Sequence, residues 1–311
     1  MKKSVFARSF AILLISCIFC SILSGCGSSS KSSSSEPPVY SPLRVLVPEA
    51  PGSDTLGSSP LTLDVSNITQ GYFAAQSDSA DLVTSLQITA PTGVLYSYFI
   101  EPGESAVIPF TSGSGTYQVS CYEQVNGSQY AALFAQALEV SLENEFLPFL
   151  YPNQYVNFSP DSEASKLALS MVSENTSDID ALKQIYNYVV NNLSYDYDKA
   201  ETVETGYLPD VDETLSTKTG ICFDYAALTT AMLRSCDIPC KLQIGYTGDI
   251  KHAWIDVYIR SKGWVTNAVS FNGDSWSLMD PTFDSSADSD DSEAIQDYIG
   301  NADNYTVQFT R

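Results

Sequence analysis

Residues 222–234 constrain the fold more than any other part of the chain. They read Cys-Phe-Asp-Tyr-Ala-Ala-Leu-Thr-Thr-Ala-Met-Leu-Arg, a run of mostly good helix formers in which only Asp224 and Arg234 are charged. A helix that is apolar on nearly every side belongs in a protein interior, so we expect a domain to be built around this one. Residues 217–220 indicate a loop before it, which places Cys222 in the first turn.

A cysteine in the first turn of a helix is predicted to be reactive. The unpaired N–H groups and the positive end of the helix dipole favour the thiolate, which is the nucleophilic form. The same N–H groups can hold the oxyanion that develops on an attacked carbonyl. Cys222 is therefore the candidate nucleophile.

The base that such a thiol needs is predicted to be His252, because the chain contains one histidine. The residues around it alternate between apolar side chains and other side chains, which predicts a strand with one apolar face. The apolar set is Ala253, Ile255, Val257 and Ile259, and the other set is His252, Trp254, Asp256 and Tyr258.

A candidate acid lies further along the chain. Residues 276–280 predict another strand, which ends at Asp280 because Pro281 stops it. A carboxylate at that position can fix the tautomer and the orientation of a neighbouring imidazole.

Three segments together resemble the motifs of the transglutaminase-like superfamily, in the same order and with similar separations. They are Gly-Ile-Cys-Phe-Asp-Tyr-Ala at 220–226, His-Ala-Trp-Ile-Asp-Val at 252–257 and Asp-Pro-Thr at 280–282. The joint match is far more specific than any single motif. The resemblance covers roughly residues 150–311, and it implies that Cys222 is the nucleophile, His252 the base and Asp280 the orienting acid.

Helical periodicity precedes the candidate nucleophile, as it does in that family. A helix is expected from about residue 162 to residue 173. A second is expected from Ser177, which forms a capping-box pattern with Asp180, to residue 192. Residues 200–219 are expected to form a long loop that borders the substrate groove. Together with antiparallel strands carrying the base and the acid, these helices predict an α+β, papain-like core for residues 151–311.

Three aromatic residues are candidates for lining a substrate cleft. Tyr195 matches a tyrosine that often follows the helices in the family, while Tyr225 and Trp254 lie within the nucleophile and histidine motifs. Aromatic residues at such positions also fit a hydrophobic core, so both interpretations stay open.

Residues 40–150 predict an all-β domain. Short strands are expected between turn signals, and Asn126-Gly127 is a strong hairpin signal. This spacing is typical of an immunoglobulin-like antiparallel sandwich, which we expect to act as a spacer or docking module, or else to bind a specific ligand. The expected strands are 43–47, 61–65, 82–90, 94–100, 105–110, 116–125 and 130–142.

The first residues are typical of an export signal. A basic start, an apolar run over residues 10–23 and Leu-Ser-Gly-Cys at 23–26 resemble a bacterial lipobox. This implies a signal peptide at residues 1–25, a lipid on Cys26 and stable membrane anchoring through two chains. The alternative is an ordinary signal peptide with a chance cysteine. The Ser-rich residues 26–39 then form a flexible tether.

The charge excludes some partners. With 15 Lys and Arg against 37 Asp and Glu, the net charge is −22, which should repel nucleic acid and anionic lipid. One histidine and dispersed cysteines disfavour a zinc site. The acids of residues 284–297 do not have the spacing of a calcium loop, and a solvated loop is expected there. Neither a metal nor a cofactor is predicted. Cys236 and Cys240 either form a disulfide or remain buried thiols.

Together these observations predict an extracytoplasmic, lipid-anchored cysteine acyl-transfer enzyme of a bacterium, with a Gram-positive envelope favoured. It would hydrolyse peptide or carboxamide bonds in surface or cell-wall substrates through a Cys-His-Asp triad. A crosslinking transglutaminase with an amine acceptor is an alternative, and so is a surface binding or scaffold protein without turnover. The oligomeric state stays open.

Overall fold

The computed structural model of the protein describes residues 44–271, 276–278 and 305–311, which belong to one compact unit. Its α-helices there are α1 (Glu163–Met171), α2 (Asp178–Asn192), α3 (Tyr197–Thr202), α4 (Val211–Thr217) and α5 (Cys222–Ser235). The strands of the N-terminal half are β1 (Thr55–Ser58), β2 (Leu61–Asp64), β3 (Tyr72–Ser77), β4 (Thr84–Thr89), β5 (Leu95–Ile100), β6 (Ser105–Pro109), β7 (Gly115–Asn126) and β8 (Gln129–Val140). Those of the C-terminal half are β9 (Ser194–Tyr195), β10 (Thr219–Gly220), β11 (Cys240–Thr247), β12 (Ile250–Ile259), β13 (Gly263–Phe271), β14 (Trp276–Leu278) and β15 (Tyr305–Thr310).

Two antiparallel four-stranded sheets make up the N-terminal half. One has the order β1-β2-β3-β6 and the other β5-β4-β7-β8. Their buried side chains form one shared cluster, to which Leu63 and Phe73 contribute from the first sheet and Ile88 and Val119 from the second. The predicted antiparallel all-β character is confirmed, whereas the finer immunoglobulin-like assignment stays a prediction.

The strand predictions were wrong at three places. Residues 44–47 form no strand, because Val45 packs its side chain into the core of the C-terminal half. β1 is short and mostly exposed, so its sequence lacks an alternating signal. β3 begins Tyr-Phe-Ala-Ala, in which apolar residues follow one another without the period of two.

The β7–β8 hairpin turns where the sequence predicted it. Asn126 pairs with Gln129, and Gly127 in the two-residue loop between them has a φ of 47°. Glycine accepts this left-handed conformation without steric cost, as tight hairpin turns require.

The C-terminal half is built around α5, as the apolar stretch predicted. A mainly antiparallel sheet with the order β14-β13-β12-β11-β15 lies against this helix, and α1, α2 and α4 pack around it. Leu228, Ala231 and Met232 are completely buried, and the apolar face of β12 contributes Ile255 and Val257 to the same core. These residues establish the predicted α+β core.

The capping prediction for the second helix is confirmed. The Ser177 hydroxyl accepts a hydrogen bond from the Asp180 N–H at 3.1 Å and donates to the Asp180 carboxylate at 2.7 Å. The helix therefore begins where its first N–H groups find a side-chain acceptor.

The long loop predicted over residues 200–219 was wrong in part, because it contains the end of α3 and all of α4. Asp210 caps α4 by accepting hydrogen bonds from the N–H groups of Asp212 and Glu213 at 3.0 and 2.9 Å. These two acids lie in the first turn, where they complement the helix dipole. Acidic residues after Pro209 had indicated a loop, but they supply a helix start.

The two halves meet along the connector at residues 146–151, whose sequence is mostly apolar. Tyr151 packs on Tyr72 of the first half with ring centroids 4.7 Å apart. Phe146 packs on Tyr258 of β12 at 4.4 Å. Aromatic contacts of this kind add to the area that each ring buries.

Several predictions lie outside the described residues: the signal peptide, Cys26, the tether, Asp280 and the acidic residues 284–297. Within the ranges given above, no helix has the length and apolar character needed to cross a membrane.

Candidate active site

Cys222 is the first residue of α5, and three neighbouring donors lower the pKa of its thiol. They are the main-chain N–H of Ala253, the main-chain N–H of Phe223 and the hydroxyl of Tyr195. The main-chain N–H of Cys222 in turn faces the Tyr195 hydroxyl, whose pKa it lowers. The thiol therefore lies among donors that come from a helix start, a strand and a tyrosine.

The helix begins at this position because of its own third residue. The Asp224 carboxylate accepts a hydrogen bond from the Ile221 N–H at 2.8 Å, which is one half of a capping box. Gly220 leaves room for that carboxylate, since a Cβ at residue 220 would lie 2.7 Å from the Asp224 Cβ. Gly220 also pairs with Tyr195 in the short β9–β10 ladder, which brings the tyrosine to the thiol.

The predicted preference for thiolate is corrected by the structure. Burial raises the pKa of the Cys222 thiol, while the N–H groups of Ala253 and Phe223 and the Tyr195 hydroxyl lower it. The negative charge of Asp224 raises it further, and the net result is a pKa above the ordinary value. The helix start supplies the expected donors, but burial outweighs them.

His252 lies near the start of β12, opposite Gly245 of β11, and is 9% exposed. Burial lowers its pKa to about 4, so the imidazole is neutral and able to accept a proton at neutral pH. Its ring lies nearly parallel to that of Trp254, with centroids 6.1 Å apart. Ala253, whose main-chain N–H lowers the pKa of the Cys222 thiol, is the next residue along the strand, so the predicted nucleophile and the predicted base lie on two elements that pack together, α5 and β12.

The predicted cleft residues divide into two kinds. Tyr195 is partly exposed and touches the thiol. Tyr225 and Trp254 are each only 1% exposed, so neither ring lines an open cleft in this structure. For these two residues the core interpretation describes their surroundings better.

Sequence reasoning missed a charged network behind Cys222. The Asp224 carboxylate is fully buried and accepts hydrogen bonds from Lys199 Nζ at 2.8 Å and from the Tyr207 hydroxyl. The local sequence could have predicted a role for Asp224, because it is the third residue of a helix, where capping boxes place an acid. Its two partners come from segments 25 and 17 residues away, and no local pattern connects them.

A polar cleft of about 360 Å³ opens next to this network. Its lining includes two acids, one lysine and several hydroxyl groups, namely Asp196, Lys199, Tyr207, Glu213, Thr214, Thr217 and Thr219.

The cysteines of the described residues are all free. Cys236 and Cys240 are fully buried thiols, which resolves the open choice against a disulfide. In the same part of the chain, no group of three or more His, Cys, Asp or Glu side chains could hold a metal ion.

Residues 165–281 match the family model described as "Transglutaminase-like superfamily". The matched range includes Cys222, His252 and Asp280. The UPF0252 protein MJ1282 of Methanocaldococcus jannaschii is 40% identical over 62 residues, which are 18% of this chain and 18% of that protein. Protein YebA of Bacillus subtilis is 26% identical over 141 residues, 38% of this chain and 19% of that protein. The chain thus matches less than a fifth of either relative's length.

Among solved structures, a candidate cysteine protease of Cytophaga hutchinsonii is similar, with 15% identity and a TM-score of 0.36 over 78% of this chain and 79% of that one. The transglutaminase of red sea bream is also similar, with 12% identity and a TM-score of 0.25 over 62% of this chain and 47% of that one.

Proposed function

We propose, from the premise that residues 165–281 form a transglutaminase-like domain, that this protein is a cysteine acyl-transfer enzyme which hydrolyses peptide or carboxamide bonds. The observation that carries the proposal is the position of Cys222 at the start of α5, with its sulfur among the donors of Phe223, Ala253 and Tyr195. A partly exposed thiol surrounded in this way has the surroundings that an acyl-transfer nucleophile requires.

The first step forms an S–C bond between Cys222 and the substrate carbonyl. The neutral His252 takes the thiol proton as the sulfur attacks, which suits a pair in which neither group is charged beforehand. A concerted transfer of this kind avoids the cost of a buried thiolate, which the raised pKa of Cys222 makes unfavourable before substrate binds.

The carbonyl oxygen becomes an oxyanion in this step, and the structure offers donors for it. The Cys222 N–H points at the Tyr195 hydroxyl, so a substrate oxygen placed between them would receive hydrogen bonds from both groups. The C–N bond then breaks, the protonated His252 gives its proton to the leaving amine, and a thioester remains on the sulfur.

Water attacking the thioester completes hydrolysis, and a primary amine attacking it completes transamidation. We favour water as the acceptor for a protein that acts on surface or cell-wall peptides. The proposal further includes a lipid on Cys26, an extracytoplasmic location in a Gram-positive bacterium, Asp280 as the acid that orients His252, and an immunoglobulin-like fold for the N-terminal sandwich. The strand order and shared core of its two sheets support the last of these.

Mass spectrometry of the full chain incubated with a glutamine-containing peptide tests the reaction, with and without a primary amine. Hydrolysis adds water at a peptide bond or converts the carboxamide to an acid. Transamidation adds the amine mass instead. Cys222→Ser and His252→Ala should abolish either product, whereas Cys121→Ser, a buried cysteine of the sandwich, should retain it.

The alternative is a binding or scaffold protein without turnover. The raised pKa of the Cys222 thiol supports it, because a neutral thiol also fits a domain that catalyses no reaction. An acyl-enzyme trapped on Cys222 by an activated ester, lost in His252→Ala, would contradict that alternative. Failure of Cys222 to acylate under any condition would overturn the enzymatic proposal.

A further inference from the structure

Asp224 is the one carboxylate in the first turn of α5, and its oxygens are completely enclosed. It accepts hydrogen bonds from the Ile221 N–H, from Lys199 Nζ and from the Tyr207 hydroxyl. Burial of a carboxylate is costly unless a cation and hydrogen-bond donors compensate for it. Lys199 provides the cation at 2.8 Å.

Lys199 is itself held in place by its helix. Asp196 caps α3 by accepting a hydrogen bond from the Lys199 N–H at 2.8 Å, and the ammonium lies 4.4 Å from the centre of the Tyr207 ring. Burial lowers the pKa of Lys199, but the hydrogen bonds to Asp224 and Tyr207 outweigh that effect and leave it above the ordinary value. The ammonium therefore stays charged at every pH near neutrality.

The contact reaches the active site through main-chain geometry. Asp224 fixes the Ile221 N–H at the start of the turn. The next N–H, that of Cys222, faces the Tyr195 hydroxyl. The one after it, that of Phe223, faces the Cys222 sulfur. A small rotation of this turn would move both donors. Displacements of about 1 Å can cost an enzyme about 100-fold in rate.

We propose that Lys199 is a positioning residue of this active site, which pairs with the buried Asp224 carboxylate so that Asp224 holds the turn carrying Cys222. The inference rests on the proposed function, because it assigns Lys199 a purpose in orienting a nucleophile. Lys199 contacts neither the sulfur nor the substrate and acts through Asp224 alone.

Removal of the ammonium has a defined consequence. Among the described residues, the charged and titratable groups that face Asp224 are Lys199, Tyr207, Cys222 and Tyr225. Without Lys199 none of these carries a positive charge, so the buried carboxylate loses the cation that compensates for its burial. The enclosure of Asp224 against the Ile221 N–H then becomes unfavourable, and the turn loosens.

The experiment measures the rate of Cys222 alkylation by iodoacetamide in the full chain, over a series of pH values, with peptide mass spectrometry to identify the labelled cysteine. We expect Lys199→Met to lower the rate near neutral pH by about 10-fold, and Lys199→Arg to stay within about 3-fold of wild type. Lys166→Met, which removes a lysine from an exposed pair with Glu163, is the matched control and should not change the profile.

A double-mutant cycle with Asp224→Asn tests whether Lys199 acts through Asp224. Once the buried charge is gone, Lys199→Met should have an additional effect of less than about 2-fold. If Lys199→Met alone does not fold but the double variant does, that rescue supports the same coupling. Additive losses in the cycle, or wild-type labelling of Lys199→Met, would overturn the proposal.

The outcomes also separate this inference from the proposed function. Alkylation of wild type that does not respond to His252→Ala speaks against the enzyme. Alkylation that responds to His252→Ala and not to Lys199→Met speaks against the positioning role alone.

Discussion

The two ends of α5 bury opposite charges and handle them in different ways. At the N-terminal end, Asp224 has a lysine partner that borders a polar cleft. At the C-terminal end, Arg234 is fully buried, and its hydrogen bonds within the described residues all go to main-chain oxygens, at Tyr151, Cys240 and Arg311. Burial lowers the pKa of Arg234 to about 10, still far above neutrality, so it remains charged.

The acceptors explain the difference. The oxygens that Arg234 contacts belong to the connector, to β11 and to the last residue, three segments far apart in sequence. Arg311 in turn stacks on Tyr98 and Tyr155, with its guanidinium carbon 4.7 and 4.0 Å from their ring centres. The C-terminal end of α5 therefore ties the two halves of the protein together, whereas the N-terminal end presents a reactive group.

The largest effect is expected for Arg234→Met. It removes a charged donor from three carbonyl oxygens, those of Tyr151, Cys240 and Arg311, so the free energy of unfolding should fall by about 3–5 kcal/mol. Urea denaturation of the full chain measures this. Cys222 alkylation in the fraction that stays folded should remain at the wild-type rate, because the helix start is unaffected. If the free energy of unfolding falls by less than about 1 kcal/mol, Arg234 does not hold the two halves together as described.

The next effect concerns pH at the N-terminal end. The pKa of His252 is lowered in the folded protein from 6.5 to about 4, so between these values the unfolded chain binds a proton that the folded one does not. This ionisation therefore does not reduce the free energy of unfolding above about pH 6.5. Between there and about pH 4, the free energy of unfolding falls by about 1.4 kcal/mol per pH unit. Urea denaturation at several pH values should show a steeper loss on acidification for wild type than for His252→Gln. Parallel curves would argue against a buried neutral histidine.

A smaller effect is expected for Tyr195→Phe. Its hydroxyl lowers the pKa of the Cys222 thiol, so its removal should move the alkylation profile to higher pH. Tyr186→Phe serves as the control, because the Tyr186 hydroxyl is not among the groups that shift the pKa of this thiol. An unshifted profile would mean that the tyrosine does not contact the sulfur in solution.

The smallest effect is expected for Asp237→Gly, just beyond the C-terminal end. Asp237 has a φ of 59°, which glycine adopts without strain, but the substitution also removes the Arg260 contact at 3.2 Å. These effects oppose each other, so stability near neutral pH should change by less than about 1 kcal/mol.

The contribution of Asp237 to stability changes with pH in the opposite sense to that of His252. Burial raises the pKa of Asp237 to about 6, so its contribution is complete below pH 3.8 and is lost as the pH rises through about 6. Removal of this side chain should therefore make the folded protein lose more stability on acidification, as seen in the same urea series. Identical behaviour of the variant and wild type would show that Asp237 is not buried as described.

Local patterns predicted much of this architecture. The helix that begins at Cys222 and the strand of His252 followed from composition and period two, and the Ser177 cap followed from a three-residue spacing. The errors have local causes as well. β3 lacks alternation, and the acids that start α4 were interpreted as a loop.

The site was predicted less completely than the fold. Cys222 lies at a helix start and His252 on a strand, as predicted, but the protonation of the thiol was predicted in the wrong direction, because burial is a property of the packed structure. Lys199 and Tyr207 were not predicted, since each reaches Asp224 across a stretch of chain with no periodic relation to it.

The sequence by itself determined which residues can do chemistry: one histidine, one cysteine at a helix start, and a buried helix to hold it. Those properties are short-range, because helix capping and strand alternation act over two to four residues. Tertiary structure alone decided the surroundings of these groups, which comprise the donors from Ala253 and Tyr195, the buried charge of Asp224 and its pairing with Lys199. Burial and ionic pairing depend on distances through space, so they arise only when separate segments pack together.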